Sequence, residues 1–172
     1  RHDPALPCDQ DGYLAFFNAV SRRVLSLVAA WMGVGFIHGV MNTDNTAISG
    51  ETIDFGPCAF MDTFRFDKVF SSIDRYGRYA YDQQAKIAMW NMSRLAICLT
   101  PFIHDDEQTA VTLLQSELEK LEPYYQRQWR RVMGKKCGIF RPKQSDDGLI
   151  TGYLQLLQDT NADFTQAFRA LP

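Results

Sequence analysis

"HGVMNTDNTAISGETIDFGP", residues 38–57, brings His38, Asp44, Asn45 and Asp54 together directly after the apolar run "LVAAWMGVGFI". Asp44, Asn45 and Asp54 are hard oxygen donors. The stretch reads as a short hairpin: "TAIS" and "TIDF" are β-prone, and Gly50-Glu51 suits a two-residue turn with Gly first. That register sets Ala47 opposite Asp54 and leaves Asn45 diagonal to it. Diagonal cross-strand neighbours lie roughly 7–8 Å apart, within reach of side chains converging on one point. An amide oxygen and a carboxylate meeting there suit Mg²⁺, which keeps water and phosphate as its other ligands. Asp44, on the other side of an extended backbone, is left to face a substrate.

The spacing carries a second meaning. A kinase metal loop reads H-R-D-L-x-x-x-N, followed by D-F-G. His38 takes the His position, Asn45 follows seven residues later, and Asp54-Phe55-Gly56 is D-F-G itself. Val40 stands where the catalytic Asp belongs, so Asp44 is the one nearby carboxylate to replace it. His38 reads as a structural histidine that holds the loop backbone.

Outward from the loop, the pattern is helical. Leu14, Phe17, Val20, Val24, Leu27, Val28 and Trp31 recur at spacings of three and four, predicting a long helix before it. Asp11 is the expected cap, and Gly33, Gly35 and Gly39 end the helix. Residues 57–82 lack a clean period and read as ordered but irregular. A helix follows over residues 83–103, with Trp90, Met89 and Ile97 among its apolar contacts. The segment 105–138 reads as a helix broken near Pro123, acidic at its start and basic at its end. Two short amphipathic helices close the chain, the second capped by Asn161.

Composition narrows the class. The 172 residues are enough for one domain with a real core, and the net charge of −2 gives no electrostatic pointer to nucleic acid. The basic run from Arg127 to Lys143 reads as a solvated helix end. Cys8, Cys58, Cys98 and Cys137 form no C-x-x-C pair, which argues against a zinc ribbon or a disulfide scaffold and favours a reducing compartment. The longest apolar run is short of the roughly 20 residues of a membrane span, so a core helix is expected and no membrane partner. With no initiator Met, the chain is expected to be a piece of a longer one. Asp62 and Asp74 read as turn caps, with support of the segment after D-F-G as the alternative for Asp62. Arg75 and Arg78, around "YGR", read as surface pairing residues, with orienting the loop or contacting acidic groups as the alternative.

The blocks "HGVMNTDN", "GETIDFGPCAFMD" and "RYGRYAYDQQAKIAMWNMSRLA" resemble the selenoprotein O family of pseudokinases, as do "RHDP" near the start and "DFTQAFRAL" near the end. The resemblance spans nearly the whole chain. It implies a mainly α, protein-kinase-like C-lobe segment with one short β-hairpin from catalytic loop to D-F-G, a single domain over 1–172. It implies a nucleotidyltransferase (AMPylator) that moves AMP from ATP to Ser, Thr or Tyr hydroxyls of proteins. Carried over by motif, Asn45 and Asp54 are the ligands of Mg²⁺ or Mn²⁺, and Asp44 is the catalytic base. The family's C-terminal selenocysteine or cysteine has no counterpart among the four cysteines. A Gly-rich loop, a strand Lys and its Glu partner are expected on a missing N-lobe, so the fragment alone is expected to be inactive. The location expected is cytoplasmic in a bacterium or mitochondrial in a eukaryote. Two alternatives stand beside this reading: a kinase-like phosphotransferase, and a non-catalytic nucleotide-binding scaffold.

Overall fold

The computed structural model describes residues 3–171. It is mainly α with one short antiparallel strand pair, as expected. Helix α1 (Gln10–Val34) is capped by Asp9, whose carboxylate accepts from the Gly12 N–H at 2.9 Å. The expected cap, Asp11, lies inside the first turn, where its charge favours the helix dipole instead. Gly35 closes the helix in the left-handed region (φ 69°). Gly33 remains within α1, and the space its missing side chain leaves is taken by Val132.

Strand β1 (Phe36–Ile37) pairs antiparallel with β2 (Ala59–Phe60), Phe36 opposite Phe60 and Ile37 opposite Ala59. The hairpin therefore does not turn at Gly50-Glu51. The strands lie outside the "TAIS" and "TIDF" runs and bracket the whole loop between them. Inside the loop, the Gly50 N–H reaches the Ala47 carbonyl at 3.0 Å, so the tight turn falls at Ile48-Ser49. The groups that a ladder would use are taken by side chains. Arg23 Nε donates to the Ile48 carbonyl (3.2 Å), and the Ile53 carbonyl pairs with His38. Gly50 (φ 75°) lies so close to Arg23 that a Cβ would sit 2.6 Å from Arg23 Cβ.

The remaining helices are α2 (Gln84–Ile103), α3 (Glu107–Leu118), α4 (Leu121–Lys136), α5 (Asp147–Asp159) and α6 (Phe164–Arg169). The break expected at Pro123 comes earlier, at Glu119-Lys120, and Pro123 occupies the first turn of α4, where no N–H is needed. Asp163, not Asn161, caps α6, accepting from Gln166 N at 2.7 Å; Asn161 sits in the left-handed region (φ 50°) between the last two helices.

Two apolar clusters form. One lies where α1 crosses α2 and α4, around Phe17, Leu25, Val28, Ala88 and Met92. The other gathers Ile37, Phe64, Tyr81, Met133, Ile150 and Phe164. Trp129 touches both. By length and composition alone α1 is apolar enough to cross a bilayer, yet one face of it is buried in the first cluster. Trp31 and Met89 are half-buried against that cluster as expected, but Trp90 and Ile97 are 42% and 59% exposed.

Candidate active site

The loop between β1 and β2 carries His38, Asp44, Asn45 and Asp54, and its shape is imposed largely by side chains from elsewhere. His38 is buried (1% exposed). Its Nδ1 accepts from the Val40 N–H at 3.4 Å, which puts the ring proton on Nε2, donating to the Ile53 carbonyl at 2.8 Å. His38 thus joins the two arms of the loop, next to Asp54. A second join lies beside it. Gly39 (φ 82°) faces Pro57 so closely that a Cβ would meet the Pro57 carbonyl at 3.1 Å. Glycine takes both the conformation and the approach without strain.

From α2, two buried amides hold the ascending arm. Gln84 Oε1 accepts from the His38 N–H (3.0 Å), while its Nε2 donates to the Phe36 carbonyl (3.0 Å). Asn91 Nδ2 donates to the Met41 carbonyl (3.1 Å) and to Thr46 Oγ1 (2.8 Å). These last two bonds span the 3₁₀ turn Thr43–Asn45. Tyr79 adds a third tie, its hydroxyl donating to Asn42 Oδ1 at 2.6 Å. On the descending arm, Trp31 Nε1 donates to Thr52 Oγ1 at 3.0 Å.

Within this frame, Asn45 is half-buried and Asp44 and Asp54 are exposed. Asn45 donates its Nδ2 to the Val40 carbonyl (3.2 Å), which fixes the amide and leaves Oδ1 without a partner among the described residues. Asp54 sits in the left-handed region (φ 54°), unusual for a residue with a side chain. Among the described residues, neither Asp44 nor Asp54 pairs with a cation. No cluster of three or more His, Cys, Asp and Glu side chains occurs among them either. An amide oxygen plus a carboxylate, both uncommitted, is a sparse set of hard donors. It fits a cation that takes its other ligands from water and phosphate.

The other singled-out residues serve elsewhere. The Asp62 carbonyl accepts from the Phe164 N–H, tying the segment after D-F-G to α6. Asp74 caps a turn as expected, accepting from the N–H groups of Arg78 and Tyr79. The four cysteines are free thiols. Sequence reasoning missed Gln84 and Asn91. The signal was there: two amides seven residues apart share the buried face of α2 with Ile87 and Ala88. A polar side chain on an apolar stripe demands a partner.

A short loop of hard oxygen donors, framed by helices and closed by one strand pair, is the candidate site of this mainly α fold. The profile of the family described as "Protein adenylyltransferase SelO" matches residues 2–172, and the chain belongs to that family. It is 48% identical over 171 residues to a protein of Brevibacillus brevis named "Protein nucleotidyltransferase YdiU". Proteins of the same name from Bacillus cereus and Bacillus anthracis are 47% and 46% identical. In each case 99% of this chain is covered and 35% of the relative, so the chain spans about a third of their length.

Proposed function

We propose that this chain is the metal-binding and acceptor-facing portion of an enzyme that transfers AMP from ATP to protein hydroxyls of Ser, Thr or Tyr. The observation that carries the reading is the locked loop. Asn45 and Asp54 each hold an uncommitted oxygen, and the arms bearing them are fastened at His38–Ile53 and Gly39–Pro57. The family and the relatives' names support nucleotidyl transfer. In this reading the segment is a kinase-like C-lobe, and an N-lobe elsewhere in the longer protein supplies the rest of the nucleotide cradle. Residues 1–172 alone are then inactive.

Asn45 and Asp54 would hold Mg²⁺ or Mn²⁺. Such a cation, when bound, offsets charge on phosphate oxygens and on departing pyrophosphate. Asp44, exposed on the turn that Asn91 braces, orients the acceptor hydroxyl and takes its proton. The hydroxyl oxygen bonds to the α-phosphorus, the bond from that phosphorus to the pyrophosphate oxygen breaks, and pyrophosphate leaves with its electron pair. The proton passes from Asp44 to solvent. His38, neutral and occupied at both ring nitrogens, takes no part beyond holding the loop.

The test uses a full-length chain carrying this segment, with ATP labelled at the α or the γ position. Stable labelling of protein from α-label alone, abolished by Asp54→Ala (a loss of about a hundredfold or more), is expected. Retention of γ-label instead identifies a phosphotransferase. Neither label, with ATP still stabilising the chain, identifies a nucleotide-binding scaffold.

A further inference from the structure

The segment that leads into α1 is folded back along it. Asp3 opens a turn, its carbonyl accepting from the Leu6 N–H at 3.1 Å, and Pro7 packs on Gly12, where a Cβ would overlap the Pro7 carbonyl. About three helical turns further along α1 stands Arg23. Its guanidinium meets Asp3 end-on, Nη1 donating to Oδ1 at 2.8 Å and Nη2 to Oδ2 at 2.7 Å. The Nε–H, left on the flank of the fork, donates to the Ile48 carbonyl at 3.2 Å. One planar group thus joins the entering segment to the tip of the Asp44 loop.

The tip depends on that join. Thr46 is held from α2 by Asn91, and Thr52 from α1 by Trp31. Between them, residues 47–51 make a turn bond of their own, from the Gly50 N–H to the Ala47 carbonyl. Among the described residues, the hydrogen bond that ties this stretch to the rest of the fold is the one from Arg23 to Ile48. Gly50 also lies against the Arg23 stem, so a swing of that side chain displaces the turn. The ion pair is sheltered, the Arg23 and Asp3 side chains being 30% and 19% exposed. Such a pair adds little net stability, because the cost of leaving water offsets the attraction. What a two-pronged fork supplies is direction, which a lysine ammonium does not.

We propose that Arg23 is a positioning residue for the metal loop: it holds the Ile48 turn, and through that turn the spacing of Asn45 and Asp54, in the place that Asp3 sets. The inference rests on the metal reading above and adds a dependence to it. Cation affinity at Asn45 and Asp54 follows the seating of residues 3–9 on α1. Arg23 and Asp3 act through the backbone of the loop, and neither is a ligand. Groups that orient ligands from behind change metal affinity without touching the ion.

The experiment uses the full-length chain and reads two quantities. One is the Mg²⁺ concentration that gives half-maximal ATP binding in calorimetric titration. The other is amide hydrogen exchange in peptides from residues 43–54 and from α5 and α6. Asp3→Ala and Arg23→Lys should each raise the half-saturating Mg²⁺ concentration by about tenfold. Both should speed exchange over 43–54 and leave α5 and α6 as they are. Asp3→Glu, which keeps a carboxylate for the fork, should stay within about threefold of wild type in Mg²⁺ requirement. A Mg²⁺ requirement within about twofold of wild type in both Asp3→Ala and Arg23→Lys overturns the proposal. Exchange that quickens equally in both regions also overturns it, since Arg23 then supports the whole fold and not the loop. Wild-type ATP binding that ignores divalent cations overturns the metal reading beneath. That failure is told apart by the exchange pattern, which is read without metal: unchanged exchange over 43–54 in the variants overturns the positioning role itself.

Discussion

The Asp44 loop and the α5–α6 end of the chain are both fixed, but by different means. Around Phe164 the fastening is apolar. That ring is fully buried, stacks on Phe64 at 5.8 Å and meets Phe168 at 5.1 Å. Around Asp44 and Asn45 the fastening is polar. Amides from α2 and the His38 ring capture backbone groups that no strand partner serves, and Trp31 on α1 holds the Thr52 hydroxyl. Apolar packing gives stability without direction, whereas hydrogen bonds to backbone groups give position. In the proposed reading the loop places two oxygens, and that needs the second kind.

The sharpest way to break the contrast is Phe164→Ala. It removes a fully buried ring and should cost about 3–5 kcal/mol in chemical denaturation. Asn91→Leu comes next. It strips the Met41 carbonyl and the Thr46 hydroxyl of their donor, so about 1–3 kcal/mol is expected. Metal-dependent ATP binding by a full-length chain should fall in the same variant by about 10–100-fold, which calorimetric titration would measure. A Phe164 variant restored in stability by other substitutions should keep that affinity.

Asp54→Gly separates position from stability more finely. Glycine adopts the left-handed backbone at no steric cost, so thermal unfolding should show stability unchanged or raised by up to about 1 kcal/mol. Metal-dependent binding should nevertheless vanish, because the carboxylate is gone. The smallest effect concerns a helix cap far from either region. The Asp106 carboxyl is held below the usual range by the Thr109 hydroxyl, and then by the Thr109 N–H. Its folded pKa lies below the unfolded one, so the stability it adds is present above the unfolded value and lost as pH falls through the folded one. Asp106→Asn keeps an amide cap and should remove that acid-side component from a stability–pH profile.

The helices were legible because their apolar residues recur at the helical period. Even there, residue type misled at two caps: Asp11 and Asn161 stood near the right places, but Asp9 and Asp163 make the bonds. The loop was legible in its residue types and not in its shape. Asp44, Asn45 and Asp54 stand out by type and order, while the turn between them obeys Arg23, Trp31 and His38 rather than the β propensity of its own residues. Tertiary capture overrode local preference, and nothing within the loop announces which side chains will do the capturing.

Gly35, at the end of α1, lacks the atom that would block Phe164; a Cβ there would sit 2.9 Å from the ring. The space at the end of the first helix is therefore filled by a residue of α6, far along the chain from it. During synthesis the strand that leads into the Asp44 loop emerges long before its plug does. The loop's foundation stays unsealed until the ribosome has delivered α6, so a chain stalled or clipped ahead of that helix would carry every catalytic candidate on an unfinished footing.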